Sequence, residues 1–383
     1  MAEAMRHERP WIELPEPQES REAGGLSAPI ALRDEMLAKG WWEMEASATL
    51  PSQTYAFHAA LAGTMLPGRI LKVVSICEGG KPLAILPLCR RSGPFSRWHA
   101  AGVRQVYEPV DALCRDGVAA RRLAHKVVGL ARPLRLDRVP ADSLLVPALR
   151  HAAKGRAFVV ARPAQAWPTM ALEPDGADPE LRFNAGRRSD FRRARRRADA
   201  LGDVTFEMHE PAPDTFDDLF EQAVGVEQRG WKGESGSALG SDAAKGAFFR
   251  DFLLRSCREG RCRIAFMRID RRPVAMQLAV EFQRRYWLFK IGFDEEFARC
   301  SPGNLLMLFA LKDAADRGLR GFEMLGEVEP WIAEAWTQDA VPCLRVQTYP
   351  FNPRGLATLL AEAAIWGRQR LPRRLFRRGG EAG

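Results

Sequence analysis

A short polar segment lies where a strand is expected to pass into a helix. It reads Ser301-Pro302-Gly303-Asn304, with Leu305 next. Serine favours the N-cap position, proline suits the first helical position, and glycine lets a ligand approach the backbone. The first N–H groups of a helix have no partner within it, and the helix dipole adds positive charge there. The segment therefore predicts a site for a pyrophosphate, with an ordinary helix start as the alternative.

Three glutamates in or near the expected strands are candidates for the general base. Glu281 shares one side of an alternating strand with Ala275, Gln277 and Ala279, whose small or polar side chains would leave room for a substrate. A solvent-facing carboxylate is the alternative. Glu329, just after a later strand, is the next candidate, together with Glu323 within that strand. A carboxylate with a pKa near 7 would suit general acid–base catalysis.

Four further side chains are candidates for substrate contact or electrostatic catalysis. Lys290 is unusual in mid-strand between aromatic residues, and it could bind a phosphate or polarise a carbonyl. The neighbours Trp231 and Lys232 pair an aromatic ring with a cation, which suits a sugar or a nucleotide; a Trp in the core beside a solvated Lys is the alternative. Asp294 lies in a turn that it could instead brace.

The composition predicts two globular domains. The chain has 383 residues, of which 46% are hydrophobic. The seven cysteines include no CxxC pair, and the six histidines are scattered, so we expect neither a disulfide framework nor a metal site. The N-terminal stretch lacks the pattern of a signal peptide, and a cytoplasmic location is expected.

The net charge of +9 favours an anionic partner, although the arginine enrichment of a GC-rich genome would also produce it. Eight arginines fall between Arg182 and Arg197. They form either a solvated basic helix face or a holder for a phosphate-bearing substrate. Six more arginines lie between Arg368 and Arg378, beside apolar residues, and peripheral contact with an acidic membrane is one interpretation of that segment.

Alternation and turns predict the elements that position these residues. A helix over Thr54 to Leu66 precedes a hairpin of strands, Ile70 to Ile76 and Pro82 to Cys89. Further on, three antiparallel strands between Arg263 and Gly292 are followed by a helix over Pro302 to Arg317 and a strand over Gly321 to Leu325. The fold class is therefore a mixed α/β sheet. We predict a tail over 1–28, domains over 29–165 and 166–350, and a helix with a basic tail over 351–383.

Three of these segments, taken in order, resemble the BioF2-like or CelD/BcsL group of GNAT acyltransferases. They are Gly230 to Leu239, with its Gly-Trp-Lys-Gly start, Tyr286 to Glu295, and Ser301 to Leu306. The preceding arginine-rich helix also matches the group. The resemblance covers about 183–349. It implies a GNAT fold for that half, and related FemABX-type proteins carry two GNAT-like domains, which would make 29–165 a divergent copy.

The resemblance implies acyl transfer from acetyl-CoA or a similar thioester, without a metal, to a sugar or polysaccharide precursor. Ser301-Pro302-Gly303 stands in place of the usual glycine-rich GNAT motif. Where the group often has a Tyr-Lys pair, this chain reads Trp331-Ile332, so an aromatic residue remains for the acceptor and the lysine is lost. Two alternatives stay open. One is FemABX-like aminoacyl transfer from tRNA, and the other is an inactive GNAT-like binding protein. Other nucleic-acid binding is not expected, because no recognition motif accompanies the charge.

Overall fold

A computed structural model describes residues 35–172, 178–230, 239, 242–326 and 328–370. The predicted tail over 1–28 and the candidates Trp231 and Lys232 lie outside these residues. Among the described helices, none is long and apolar enough to cross a membrane.

The first half of the chain alternates short helices and strands. Thr54 caps the second helix, where its side-chain oxygen accepts a hydrogen bond from the N–H of Phe57. The elements are α1 (Glu35–Met44), α2 (Tyr55–Thr64), β1 (Ile70–Glu78), β2 (Lys81–Arg90), β3 (Trp98–Ala100), α3 (Val103–Val106), β4 (Leu113–Cys114), α4 (Gly117–Val128), β5 (Leu134–Pro140), α5 (Leu145–Ala152) and β6 (Ala157–Ala171).

The second half contains the strands that alternation predicted. Its elements are α6 (Ala185–Asp199), β7 (Val204–His209), α7 (Phe216–Gln228), α8 (Ala243–Arg258), β8 (Cys262–Ile269), β9 (Arg272–Phe282), β10 (Arg285–Phe293), α9 (Pro302–Asp316), β11 (Gly321–Glu323), α10 (Pro330–Ala335), β12 (Ala340–Pro350) and α11 (Pro353–Arg370). The strands β7 to β10 are successive antiparallel neighbours, and β11 runs parallel to β10.

One mixed sheet joins the two halves, in the order β1-β2-β3-β5-β12-β6-β11-β10-β9-β8-β7, with β4 beside β2. The predicted mixed α/β fold is confirmed. The predicted domain boundary at 165/166 falls within β6, which pairs with β12 and with β11. The C-terminal strand β12 also pairs with β5, so the chain returns to its first half before it forms α11.

Aromatic packing joins the halves away from the sheet. Phe57 of α2 packs edge-on against Phe248 and Phe252 of α8, with ring centroids 5.2 and 5.4 Å apart. All three rings are almost fully buried within one apolar cluster. A loop from the first half can therefore be held at a fixed position beside residues of the second half.

Candidate active site

The strands β10 and β11 separate beyond their first three residues. Their parallel ladder runs from Arg285 to Trp287 on β10, and β11 ends at its partner Glu323. β10 continues to Phe293, and its register against β9 shifts at Phe289, which forms a bulge. A gap therefore opens between the two strands, where β10 has no parallel neighbour among the described strands.

A cavity of about 640 Å³ fills this gap. It is bounded by the end of β10, the start of α9, the chain after β11, the start of α10, and a loop from the first half. The lining residues are Val106, Tyr107, Glu108, Leu288 to Phe293, Ala298, Ser301 to Asn304, Met307, Met324 to Gly326, Glu329, Trp331 and Ile332. The lining is mostly apolar with a few polar groups, as is usual for small-molecule sites.

The start of α9 forms one wall of the cavity and contains Ser301 to Asn304, for which the sequence predicted a pyrophosphate site. Ser301 occupies the N-cap position in a left-handed conformation (φ 50°), and its side chain makes no capping hydrogen bond. Its carbonyl instead accepts from the N–H groups of Asn304 (3.1 Å) and Leu305 (3.2 Å). A Cβ added to Gly303 would lie 3.3 Å from the ring of Phe293, so the backbone is closely packed there. The side chain of Leu305 is buried in the core beneath α9 and does not line the cavity.

The arginine-rich helix α6 packs beside this helix start. Arg187 donates to Oδ1 of Asn304 (3.4 Å), and its guanidinium lies over the rings of Phe191 and Trp336 at 4.6 and 5.3 Å. A smaller pocket of about 260 Å³ is lined by Arg187, Arg193, Arg197, Ser301 and Asn304, together with Asp190, Phe191 and Ala194. Positive side chains thus add to the helix dipole at the N-terminus of α9.

Glu108 brings a carboxyl group to the opposite side of the cavity. Its side chain is buried, and its Oε2 has no hydrogen-bond partner among the described residues. Burial raises the pKa of Glu108 to about 7, although the positive charges of Arg138 and Lys290 oppose this rise. The carboxyl group is therefore divided between its protonated and ionised forms near neutral pH, as a general base requires.

Arg138 fixes the loop that carries Glu108. Its side chain is buried, with the guanidinium 4.7 Å from the ring centroid of Tyr107. It donates to the carbonyl of Tyr107 and, at 2.7 Å, to the carbonyl of Gly326 after β11. One side chain thus joins the loop of the first half to the far edge of the gap.

Lys290 lies in the cavity, where the sequence predicted a site position. Its Nζ is 4.8 Å from the ring centroid of Phe249. Burial lowers the pKa of Lys290, and the carboxylates of Glu227 and Glu108 partly counter that effect. The cavity therefore holds an acidic and a basic side chain, each of which affects the ionisation of the other.

The structure does not bring Glu281 to the cavity. Its carboxylate forms ion pairs with Arg263 (3.0 Å) and Arg317. The strand side that it shares with Gln277 is covered by α9, because Nε2 of Gln277 contacts the sulfur of Met307 at 3.8 Å. The small residues on this side accommodate a helix rather than a substrate, so the space expected beside Glu281 is absent.

Asp294 also lies away from the cavity lining and braces a turn. Its buried carboxylate accepts from Arg229 and Arg272, both at 2.7 Å, and from the N–H of Glu296 at 3.2 Å. The bracing alternative therefore describes its contacts. Glu329 and Trp331, in contrast, both line the cavity, and the indole N–H of Trp331 donates to Glu329.

Glu323 stabilises the fold, and its replacement should lower the free energy of unfolding. It is buried and accepts from the indole N–H of Trp167 (2.7 Å), from the hydroxyl of Thr169 (2.9 Å) and from Arg285. Because Glu323→Ala leaves all three donors without this acceptor, we expect the free energy of unfolding to fall by about 3 kcal/mol in urea titrations. Glu329→Ala, at an exposed position, is the matched control and should change it by less than about 1 kcal/mol. Equal losses in the two variants would contradict this role.

Comparison with known proteins agrees with this geometry. Residues 185–331 match the family described as an acetyltransferase (GNAT) domain. None of the curated proteins matches the chain. FemX is similar in structure, with a TM-score of 0.56 at 11% identity over 84% of this chain and 98% of FemX. The C-terminal domain of a putative lysylphosphatidylglycerol synthetase from Agrobacterium fabrum has a TM-score of 0.52 at 14% identity, over 86% and 95% of the respective chains. These two likenesses concern the fold alone.

Most of the cavity lining thus lies within residues that match a GNAT acetyltransferase domain, which supports an acyltransferase, and the GNAT fold implies an acyl-CoA donor. Sequence reasoning missed Glu108 and Arg138, which lie outside residues 185–331. The dipeptide Glu108-Pro109 has no recognisable pattern around it, and no local signal could have placed it opposite Lys290.

Proposed function

We propose that this GNAT-type acyltransferase moves an acyl group, most simply acetyl from acetyl-CoA, to an amine or hydroxyl of a sugar or polysaccharide precursor. The observation that carries the proposal is the meeting of two features in one cavity. The start of α9, with the arginines beside it, suits a phosphate-bearing donor, and the buried carboxyl group of Glu108 suits proton transfer.

The donor would be held chiefly by the start of α9. Backbone N–H groups at a helix N-terminus and the guanidinium groups of Arg187, Arg193 and Arg197 favour a pyrophosphate. The gap between β10 and β11 would receive the thioester end, because it leads from the helix start to Lys290 and Glu108. When bound, acetyl-CoA supplies the activated acyl group.

The residues of this chain would then prepare the acceptor. The ionised carboxylate of Glu108 would accept the proton of the attacking amine or hydroxyl as its bond to the acyl carbon forms. The C–S bond of the thioester then breaks, and CoA leaves as a thiolate that takes a proton from solvent. The bulge at Phe289 would place backbone N–H groups near the carbonyl where negative charge develops. Lys290 adds a positive charge to the same region, and Arg138 keeps Glu108 in position.

The proposal of a sugar as the acceptor is supported by the side chains at the mouth of the cavity. Trp331 is 43% exposed there beside Glu329, and an aromatic face next to a carboxylate suits a sugar ring and its hydroxyl groups. This fits the resemblance to the BioF2-like and CelD/BcsL group and hence a role in exopolysaccharide or envelope production. Since the cysteines of the described residues are all unpaired, the proposal places the reaction in the cytoplasm.

Aminoacyl transfer from tRNA is the second candidate. It is favoured by the basic surface of α6, where arginines surround the smaller pocket next to the helix start. The two candidates share Glu108 as the base and differ in the donor that the basic surface holds.

Calorimetric titration with acetyl-CoA, followed by measurement of CoA release with amino and hydroxyl sugars, tests the proposal. We expect saturable binding of acetyl-CoA at one site and acceptor-dependent release of CoA. Salt-sensitive binding of aminoacyl-tRNA without binding of acetyl-CoA would favour the second candidate. Absence of both would overturn transferase activity at this site.

A further inference from the structure

The outward face of α11 is apolar, although it lies on the surface. Leu356, Leu360 and Ile365 are 50, 69 and 57% exposed, respectively. Small apolar residues fill the positions between them, namely Ala357, Ala361, Ala363 and Ala364, which are also exposed. Surface helices of globular proteins normally carry charged residues on the outward face. Among the described side chains over 353–365, the only exposed charge is that of Arg354.

The single acidic residue of α11 points inward. Glu362 accepts hydrogen bonds from Nε2 of Gln347 at 2.7 Å and from the hydroxyl of Tyr349, both on β12, and forms an ion pair with Arg97. The negative charge of Glu362 is thus balanced by Arg97 on the side of the helix that faces the sheet. The outward face therefore carries no negative charge among the described residues of α11.

Basic residues adjoin the start of the apolar face, and the sequence that follows the face is rich in arginine. At the start of α11, exposed Phe351 packs edge-on against exposed Phe158, with ring centroids 4.8 Å apart, and Lys154, Arg156 and Arg354 are exposed nearby in the chain. At the other end, the sequence continues with Arg368, Arg370, Arg373, Arg374, Arg377 and Arg378, and no acidic residue occurs from 363 to 380.

We infer that this face of α11 docks onto an anionic lipid surface, with the helix lying in the plane of the membrane interface. Apolar side chains on one face of a helix enter the boundary between headgroups and acyl chains, and adjacent arginines bind the acidic headgroups. The proposal concerns the face of α11 (Leu356, Leu360 and Ile365) and does not rest on the acyl-transfer function.

Charge favours a lipid surface over a second copy of this chain. A two-fold contact would place the same face of both copies together. It would therefore bring together two faces whose only exposed charge over 353–365 is that of Arg354, with no acidic residue of the described outward face to offset it. A bilayer rich in phosphatidylglycerol supplies both the apolar layer and the negative charge.

Cosedimentation of the full chain with vesicles tests the inference. We expect binding to phosphatidylcholine vesicles that contain phosphatidylglycerol, weak binding to phosphatidylcholine alone, and weaker binding at high salt. The double variant Leu356→Glu/Leu360→Glu should reduce the binding by about tenfold or more, since it places two carboxylates in the apolar face. The double variant Leu181→Glu/Leu201→Glu, at exposed leucines elsewhere, is the matched control and should bind as the unaltered chain does.

Three results would overturn the inference. They are failure of the unaltered chain to bind anionic vesicles, equal loss of binding in both double variants, and retained binding in the α11 variant. Sedimentation equilibrium without vesicles tests the alternative that a second copy of this chain binds the face. A dimer that dissociates when the α11 substitutions are made would assign the face to that second copy. Circular dichroism of both variants shows whether they fold. Acetyl-CoA binding is measured separately, so failure of this inference is distinct from failure of the proposed function.

Discussion

Replacing Glu108 with glutamine is expected to lower the turnover number by about 100- to 10,000-fold, while the dissociation constant for acetyl-CoA stays near that of the unaltered chain. Glutamine has nearly the same shape but cannot accept a proton at neutral pH. The donor contacts proposed at the start of α9 lie on another wall of the cavity. Steady-state CoA release and calorimetry measure the two quantities on the same preparation.

The pH dependence of the rate tests the same residue more directly. Burial raises the pKa of Glu108 to about 7, and the base works only when ionised. The rate of the unaltered chain should therefore rise as the pH rises through about 7. This rising limb of the pH–rate profile should be absent in Glu108→Gln. Glu329→Gln, which alters another carboxylate of the cavity, should retain the limb. A limb that disappears in Glu329→Gln and persists in Glu108→Gln would transfer the role to Glu329.

The glutamine variant should also be more stable than the unaltered chain above neutral pH. The pKa of Glu108 is raised from 4.5 to about 7 on folding, so the folded state binds a proton more tightly than the unfolded state. The resulting stabilisation is fully present below pH 4.5 and is lost as the pH rises through about 7. Glutamine does not ionise, so its advantage in the free energy of unfolding grows across this range, to at most about 3 kcal/mol. If Glu108→Gln loses activity and gains stability, the loss of activity is due to removal of the base and not to damage to the fold.

Local patterns predicted the elements of the second half because those elements are specified locally. The turn before Pro273 and the alternation that follows it identify β9, and Ser301-Pro302 marks the start of α9. Lys290 lines the cavity beside the start of α9 because its strand and that helix are adjacent in sequence. The site was therefore predictable wherever neighbours in sequence are also neighbours in space.

Long-range pairing accounts for what the sequence did not disclose. Alternation separates the two sides of β9 but does not say what covers each one, and α9 covers the side of Glu281 that seemed open. Likewise, β12 pairs with β5 across about 200 residues of sequence, which no periodicity can indicate. Contacts between the halves hold Glu108 at the cavity, among them the packing of α2 on α8 and the bonds of Arg138.

The second large effect is expected at the donor end of the cavity, from Gly303→Leu. A leucine there extends over the first N–H groups of α9, where the phosphates of the donor are proposed to bind. Loss of charge-assisted hydrogen bonds of about 1.5–3 kcal/mol corresponds to a weakening of acetyl-CoA binding by about 10- to 100-fold. Calorimetry measures the dissociation constant, and the pH limb assigned to Glu108 should persist in the residual activity.

The fold should tolerate this substitution, so the effect can be attributed to the site. Gly303 does not have a left-handed backbone, and its new Cβ would lie 3.3 Å from the Phe293 ring, which needs a shift of a few tenths of an ångström. Gly63→Leu is the matched control, because Gly63 lies within α2 and a Cβ there meets no atom within 4 Å. The control should bind acetyl-CoA normally. If Gly303→Leu binds equally well, the donor phosphates lie elsewhere, and the basic pocket of Arg187, Arg193 and Arg197 becomes the place to test next by Arg193→Ala and Arg197→Ala.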